Sequence, residues 1–253
     1  MTAVSAVILA CLGLCIFWVV SDILAGDHPG VVKPSDASQV PVAGGDPLPA
    51  NDAKPPPGGV PKPNSPTGPC PVLDGGLVDT PTQEPSELEW ESYRGLAMPE
   101  SRFSGPVGGS GSVSRCFAHT PTGALLAAMQ ISSRAVLAPD WRSVAQYQIL
   151  PGPAADEFIS RMTSLVGTAE PGLVRDVTGL MQPAGFKFLG YSPDQAVIAL
   201  AFSSESGVRM QSAVYTVIWN GDDWLLQAQP GGSVSALSQR PESLDGFVPW
   251  GKE

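Results

Sequence analysis

Residues 185–229 read GFKFLGYSPDQAVIALAFSSESGVRMQSAVYTVIWNGDDWLLQAQ and decide the fold. Runs of aromatic, aliphatic and β-branched residues alternate here with short polar turns, a pattern that predicts four strands in an antiparallel meander. The last turn contains Asn220-Gly221, a pair that supplies the positive φ angles of tight hairpins. This hairpin is therefore the strongest local signal in the chain.

One face of the predicted meander is strongly apolar. Closing the last hairpin over two or four residues places on it Ala213, Tyr215, Val217, Trp219, Trp224, Leu226 and Ala228. The opposite face mixes apolar and polar side chains. Because an apolar sheet face must be buried against another layer, we expect helices to cover it.

Three helices are predicted before the meander. The first begins at Thr120, which can act as N-cap, with Pro121 in the first turn, where its missing N–H does no harm. A second begins near Pro139-Asp140. The third has apolar residues at helical spacing, namely Phe158, Ile159, Met162, Leu165 and Val166. Helices followed by an antiparallel meander predict an α+β domain over residues 88–253.

The chain begins with an apolar segment. Residues 3–20 contain no charged side chain, and residues 21–24 can complete a span of the length that crosses a bilayer. No Lys or Arg precedes Lys33, unlike a cleaved signal peptide with its basic start. We predict an uncleaved transmembrane anchor over residues 1–25, with Trp18 at the interface. A lipoprotein cleavage box ending at Cys11 is the alternative.

Residues 26–87 are predicted to be a disordered linker. The chain has 27 prolines, concentrated towards its N-terminal third, and this stretch has almost no aliphatic clusters. Such a composition cannot bury enough apolar surface to offset the entropy of ordering. We interpret it as a passive spacer that holds the domain away from the membrane. The alternative is a docking site for a proline-binding partner.

The four cysteines fall into two pairs. Cys11 and Cys15 lie in the predicted anchor, where they are expected to act as small packing residues. Cys70 and Cys116 lie outside it, and an even pair in an exported segment is a disulfide candidate. The sequence leaves open whether they pair.

Residue chemistry argues against several functions. The net charge is −10 and the fourteen basic residues are scattered, so direct nucleic-acid binding is not expected. Residues 108–111 form a glycine run without the Gly-Lys-Ser/Thr of a phosphate loop, which we interpret as a lead-in loop. With two histidines and no Cys/His spacing, no metal site, cofactor or catalytic residue is predicted.

The sequence also suggests roles for one histidine, two aspartates and three aromatic residues. His119 precedes the predicted N-cap and is expected to fix the start of the helix through a backbone hydrogen bond rather than to catalyse a reaction. Asp222 and Asp223 are expected to make local turn hydrogen bonds. The aromatic residues of the last two strands are expected to line a pocket, an interface or the core, and the sequence does not separate these; they are Tyr215, Trp219 and Trp224.

Two strings carry a family resemblance. FAHTPTGALLAA at 117–128 and SLDGFVPWG at 243–251 resemble uncharacterised actinobacterial single-pass membrane proteins that occur with integrative and conjugative elements. Helices followed by a meander also resemble the cone-shaped nuclear transport factor two-like fold, with a curved sheet. With the anchor, this architecture is similar to the inner-membrane assembly subunits of type IV secretion and of Gram-positive conjugation.

These observations predict a cell-membrane protein with an extracytoplasmic C-terminal domain. The resemblance implies an interaction or assembly module rather than an enzyme, serving a conjugative DNA-transfer or secretion apparatus. Its expected partners are the membrane, other proteins or further copies of itself. The alternatives are a cone-fold domain that binds or converts a small ligand, and an accessory protein of a lipid-uptake complex.

Overall fold

The computed structural model describes residues 68–74, 78–168, 181–204, 206–236 and 238–252. The predicted anchor and most of the predicted linker lie outside these residues. Within the described ranges, none of the helices combines the length and apolar character needed to cross a bilayer.

The described residues form a mixed α+β structure with three helices and antiparallel sheets. In chain order the elements are β1 (Glu89–Tyr93), β2 (Leu96–Glu100), β3 (Gly108–Ser110), β4 (Val113–Arg115), α1 (Pro121–Leu137), α2 (Trp141–Gln148), α3 (Pro153–Thr168), β5 (Gln182–Ser192), β6 (Gln195–Ser203), β7 (Met210–Trp219), β8 (Trp224–Leu226), β9 (Ser238–Gln239) and β10 (Val248–Pro249).

The predicted meander is confirmed. The main sheet has the order β10-β5-β6-β7-β8, and β9 pairs with β7. Trp219 lies opposite Trp224 and Val217 opposite Leu226, so the hairpin closes over four residues and these side chains share a face, as expected. Val217, Trp224 and Leu226 are fully buried.

Helix α1 is the centre of the domain. Its residues from Pro121 to Ala135 are all buried, and it contacts the main sheet, β2, β4 and α2. A helix buried on every side is expected to lack a charged face, and the one charged residue here is Arg134. Its guanidinium lies 4.1 Å from the ring centre of Tyr93 and donates to Gln130 over 2.9 Å.

The start of α1 is as predicted. Thr120 is the N-cap, and its hydroxyl oxygen accepts the N–H of Gly123 over 3.2 Å. Gly123 allows an unusually close approach, because a Cβ there would lie 2.0 Å from the Ala118 carbonyl oxygen. Helices α2 and α3 also lie where expected, with Asp140 at the N-cap position of α2 and Phe158 buried on α3.

Two short hairpins were not predicted. The glycine run 108–111 was expected to be a loop. Its first three residues instead form strand β3, which pairs with β4. Gly109 has φ 126°, and a Cβ there would lie 2.0 Å from the Val113 carbonyl oxygen, so this hairpin requires glycine. The β1–β2 hairpin turns through Arg94 (φ 53°) and Gly95 (φ 86°), both in the left-handed region that two-residue hairpin turns use.

Candidate functional site

The turn between β7 and β8 is closed by Asn220 rather than by the two aspartates that follow. Asn220 Oδ1 accepts the backbone N–H groups of Asp222 and Asp223, each over 2.9 Å. The Asn220 N–H in turn donates to the Asp223 carbonyl oxygen over 3.1 Å. Because Asn220 provides the turn hydrogen bonds, the side chain of Asp223 is available to face the interior.

Asp223 joins two distant parts of the chain. Its Oδ2 accepts the N–H of Cys116 over 2.7 Å, and its Oδ1 accepts the N–H groups of Phe117 and Trp224, each over 3.0 Å. The residue is 4% exposed. We call this arrangement the Asp223 tie. It fixes the segment that leads into α1 onto the β7–β8 hairpin.

The ionisation of Asp223 reflects opposing influences. Burial raises its pKa to about 6, while the hydrogen bonds from Phe117, Cys116 and Trp224 and the charge of Arg115 act in the opposite direction. The carboxylate is thus solvated by protein groups in place of water. Its three backbone donors form charge-assisted hydrogen bonds, which are stronger than neutral ones.

Arg115 compensates the buried negative charge. Its guanidinium lies 3.0 Å from Asp222 Oδ2 and 3.9 Å from Asp223 Oδ2. It also donates from Nη1 to the Gly68 carbonyl oxygen over 3.1 Å. The side chain is 7% exposed, so this pairing is largely removed from water. Breaking one partner of such a pair leaves an uncompensated charge.

A disulfide bond adjoins the Asp223 tie. Cys70 and Cys116 are bonded, with an S–S distance of 2.15 Å and a sequence separation of 46. Cys116 has φ 67°, a left-handed backbone that non-glycine residues rarely adopt. The hydrogen bond from its N–H to Asp223 supports this conformation. The pairing that the sequence left open is present in the structure.

The same residues raise the question of a metal. The sulfur atoms of Cys70 and Cys116 and a carboxylate oxygen of Asp223 all lie within 4.8 Å of one another. Metal binding by cysteine requires a thiolate, and here the two sulfur atoms are bonded to each other. In this state the group is a disulfide beside a carboxylate.

His119 lies at the surface next to the Asp223 tie. Its ring stacks on Trp219 with centroids 4.1 Å apart and planes 8° apart. Its Nε2 is 2.5 Å from the carbonyl oxygen of Pro193, in the β5–β6 turn. His119 thus connects the start of α1 to the sheet through a backbone hydrogen bond, the structural role that the sequence suggested.

The three aromatic residues singled out from sequence lie in different environments. Tyr215 is 5% exposed, burial raises its pKa to about 12, and it is hydrogen-bonded to Ser132 of α1. Trp224 is fully buried and donates from Nε1 to the Ala118 carbonyl oxygen over 2.9 Å. Trp219 is half-buried. Tyr215 and Trp224 are therefore core residues, and only Trp219 reaches the surface, with His119.

Sequence reasoning missed the Asp223 tie. Its members lie 106 and 107 residues apart along the chain, and the turn position of Asp223 favoured a local interpretation. Arg115 carried no pattern that linked it to Asp222. The one available signal was that Asn220 alone can satisfy the turn, which leaves two acids without a local role.

The geometry thus defines an α+β domain whose helical entry, last hairpin and N-terminal segment meet at one buried carboxylate and one disulfide. A family model described as a domain of unknown function (DUF8175) matches residues 51–249, and the chain belongs to this family. The matched range begins inside the predicted linker and includes Cys70. No curated protein and no solved structure matches the chain.

Proposed function

We propose that this protein is a membrane-anchored interaction and assembly module whose domain lies outside the cytoplasm. The disulfide between Cys70 and Cys116 carries the proposal. Disulfides persist in oxidising compartments and are rare in the cytosol. The bond also lies where the proline-rich segment meets the domain, which suits a domain held at the end of a tether.

The sequence before the domain supports the membrane part of the proposal. Residues 3–20 are uncharged and long enough, with residues 21–24, to span a bilayer. A proline-rich chain of about 60 residues can extend to roughly 190 Å in the polyproline conformation. An anchor with such a spacer positions a domain within an assembly, whereas a freely diffusing catalyst gains little from it.

The engagement of the buried carboxylate of Asp223 supports binding rather than catalysis. The carboxylate of Asp223 accepts three backbone N–H groups. A general base needs a free lone pair directed at a substrate. The oxygens of Asp223 are instead directed at the protein's own backbone.

We also propose that the domain is a curved cone similar to the nuclear transport factor two-like fold. The order of helices and strands supports this, as do two register shifts in the β5–β6 pair, between Pro183 and Gly185 and between Phe188 and Gly190. Such bulges bend a strand and increase its twist. The resemblance to conjugation and secretion subunits makes other subunits of such an apparatus, or further copies of this chain, the proposed partners.

The test compares two variants in a conjugation or secretion assay. Deletion of residues 3–24 is expected to abolish function while the domain stays folded. The variant His119→Ala is expected to reduce function only as far as it lowers stability, by about 1 kcal/mol as for the loss of a helix-capping contact.

Thermal unfolding of both variants is the control. An inactive but fully folded His119→Ala protein, together with a fully active chain lacking residues 3–24, would overturn the proposal. That pair of results would favour the alternative, a domain that converts a small ligand.

A further inference from the structure

The two ends of the disulfide bond are held very differently. Cys116 is 4% exposed, its N–H donates to Asp223 Oδ2, and its carbonyl oxygen accepts the N–H of Val107 over 3.3 Å. The next residue, Phe117, is also held by Asp223. The Cys116 end thus belongs to the domain without the disulfide.

The Cys70 end lies on a short surface segment. We call residues 68–74 the strap. Cys70 is half-buried, and its neighbours in the strap include exposed residues at 69, 71, 72 and 74, of which Val72 is fully exposed. The strap contacts the tie through the Cys70 sulfur, 3.8 Å from Asp223 Oδ2, and through the Gly68 carbonyl oxygen, which accepts from Arg115.

We propose that the Cys70–Cys116 bond is a redox-controlled latch whose reduction releases the strap while the domain stays folded. This inference rests on the difference between the two cysteines. Cys116 is buried and its backbone N–H is bonded to Asp223, whereas Cys70 lies on an exposed segment. Segments with few buried apolar contacts open locally at much lower free energy than the core. Without the covalent bond, the strap is therefore expected to open locally at low free energy, whereas Cys116 is expected to stay in place.

The reductant is an external dithiol. Its thiolate attacks the Cys70 sulfur, which is the more accessible of the two, and a mixed disulfide forms as the S–S bond to Cys116 breaks. Cys116 leaves with the electron pair and takes up a proton. The second thiolate of the reductant then attacks the reductant's other sulfur atom, the one bonded to Cys70 in the mixed disulfide. The bond to Cys70 breaks and Cys70 is released. The dithiol is oxidised to a cyclic disulfide, and the protein gains two thiols.

Release of the strap has a defined structural consequence. Asp223 and Arg115 lose their cover on the side of Cys70 and Gly68. The N-terminal segment is then joined to the domain through β1 instead of through Cys116. The latch therefore sets where the N-terminal segment attaches to the domain, whether or not that segment is anchored in a membrane.

The test is hydrogen–deuterium exchange on the full-length protein in detergent, in the presence and absence of dithiothreitol. Reduction is expected to raise exchange in residues 68–74 by about tenfold or more, with little change in α1 and β5–β8. Alkylation of the fully reduced protein, followed by mass spectrometry, is expected to label Cys70 faster than Cys116, because Cys116 is 4% exposed and Cys70 is half-buried.

Two variants separate the latch from an indirect effect of the reagent. Cys70→Ser is expected to show the same exchange pattern without reductant, and the double variant Cys70→Ser with Cys116→Ser is expected not to respond to it. Protection of the strap in the reduced protein would overturn the proposal. Loss of protection throughout α1 on reduction, or faster labelling of Cys116 in the fully reduced protein, would overturn it as well.

Discussion

The carboxylate of Asp223 accepts the backbone N–H of Cys116 over 2.7 Å, although the two residues are 107 positions apart in the chain. This contact holds the entry to α1 on the last hairpin of the sheet. It also supports a left-handed cysteine that is part of the disulfide bond. Asp223 is therefore expected to matter for stability more than its position in a turn suggests.

Replacement of Asp223 by Asn tests this directly. One oxygen is retained, but an NH2 group then faces a backbone N–H, so we expect a loss of about 1–3 kcal/mol in the free energy of unfolding. Asp222→Asn is the matched control. Its side chain is 24% exposed and Arg115 keeps Asp223 as a charged partner, so we expect a smaller loss than for Asp223→Asn. Denaturant unfolding of the oxidised proteins measures both, and equal losses would contradict the role assigned to the Asp223 tie.

The pH dependence of stability should carry the signature of Asp223. Its pKa is raised from 3.8 to about 6 in the folded state. The folded protein therefore binds a proton more tightly than the unfolded chain, so lowering the pH through 6 stabilises it. The gain is complete only below pH 3.8, where the unfolded chain is protonated too, and amounts to at most about 3 kcal/mol.

Subtracting the curve of Asp223→Asn isolates this contribution. Burial and the neighbouring Glu91 also raise the pKa of Glu100, and that contribution is common to both proteins. The stability of the wild type relative to the variant should rise as the pH falls from 7 to 4. A difference that is flat with pH, or that falls over this range, would refute the prediction.

Gly123→Ala tests the close approach at the start of α1. Alanine is normally preferred in helices by about 1 kcal/mol. Here its Cβ would overlap the Ala118 carbonyl oxygen, so we expect the variant to be destabilised. Gly167→Ala on α3 has open space around it and is expected to be stabilised by about 0.5–1 kcal/mol. Thermal unfolding of both should give shifts of opposite sign.

The interior and surface aromatic residues should respond differently to small changes. Tyr215→Phe removes the hydroxyl bonded to Ser132 and is expected to lower stability by about 0.5–1.5 kcal/mol. Trp219→Phe retains a ring beside His119 at a half-buried site and is expected to have a smaller effect on stability. If Trp219 forms part of a partner interface, this second variant should instead impair function in the transfer or secretion assay.

The orientation in the membrane is open to a direct measurement. Protease added to intact protoplasts is expected to remove residues 88–253 and to leave a short anchored stub. A cytoplasmic marker protein must remain intact as the control. Complete protection of the domain would place it in the cytoplasm and exclude the proposed export.

Much of the fold was predictable because its signals are local. The turn residues Asn220 and Gly221 located the hairpin between β7 and β8 and the face its side chains share, under closure over either two or four residues. Thr120 and Pro121 marked the first residues of α1. In each case the residues that determine the structure are close in the sequence, so pattern and propensity were sufficient.

The features that were missed depend on contacts over long separations or on unusual backbone angles. The β1–β2 hairpin turns through Arg94 in a left-handed conformation, for which arginine has no sequence preference. The role of Asp223 depends on backbone donors more than 100 residues away. The environments of Tyr215 and Trp219 differ because α1 covers Tyr215, whereas Trp219 is the last residue of β7, and a shared strand face cannot reveal this difference.

The disulfide bond also determines how the domain would carry a mechanical load. A pull on the chain ahead of Cys70 passes through the S–S bond to Cys116 and reaches α1 directly. The residues between the two cysteines include both short hairpins. They do not carry this load, because the S–S bond bypasses them. They hold about 150 Å of extended chain that cannot lengthen while the bond is intact. Tension would therefore reach the Asp223 tie first, and the β1–β2 hairpin would bear none of it.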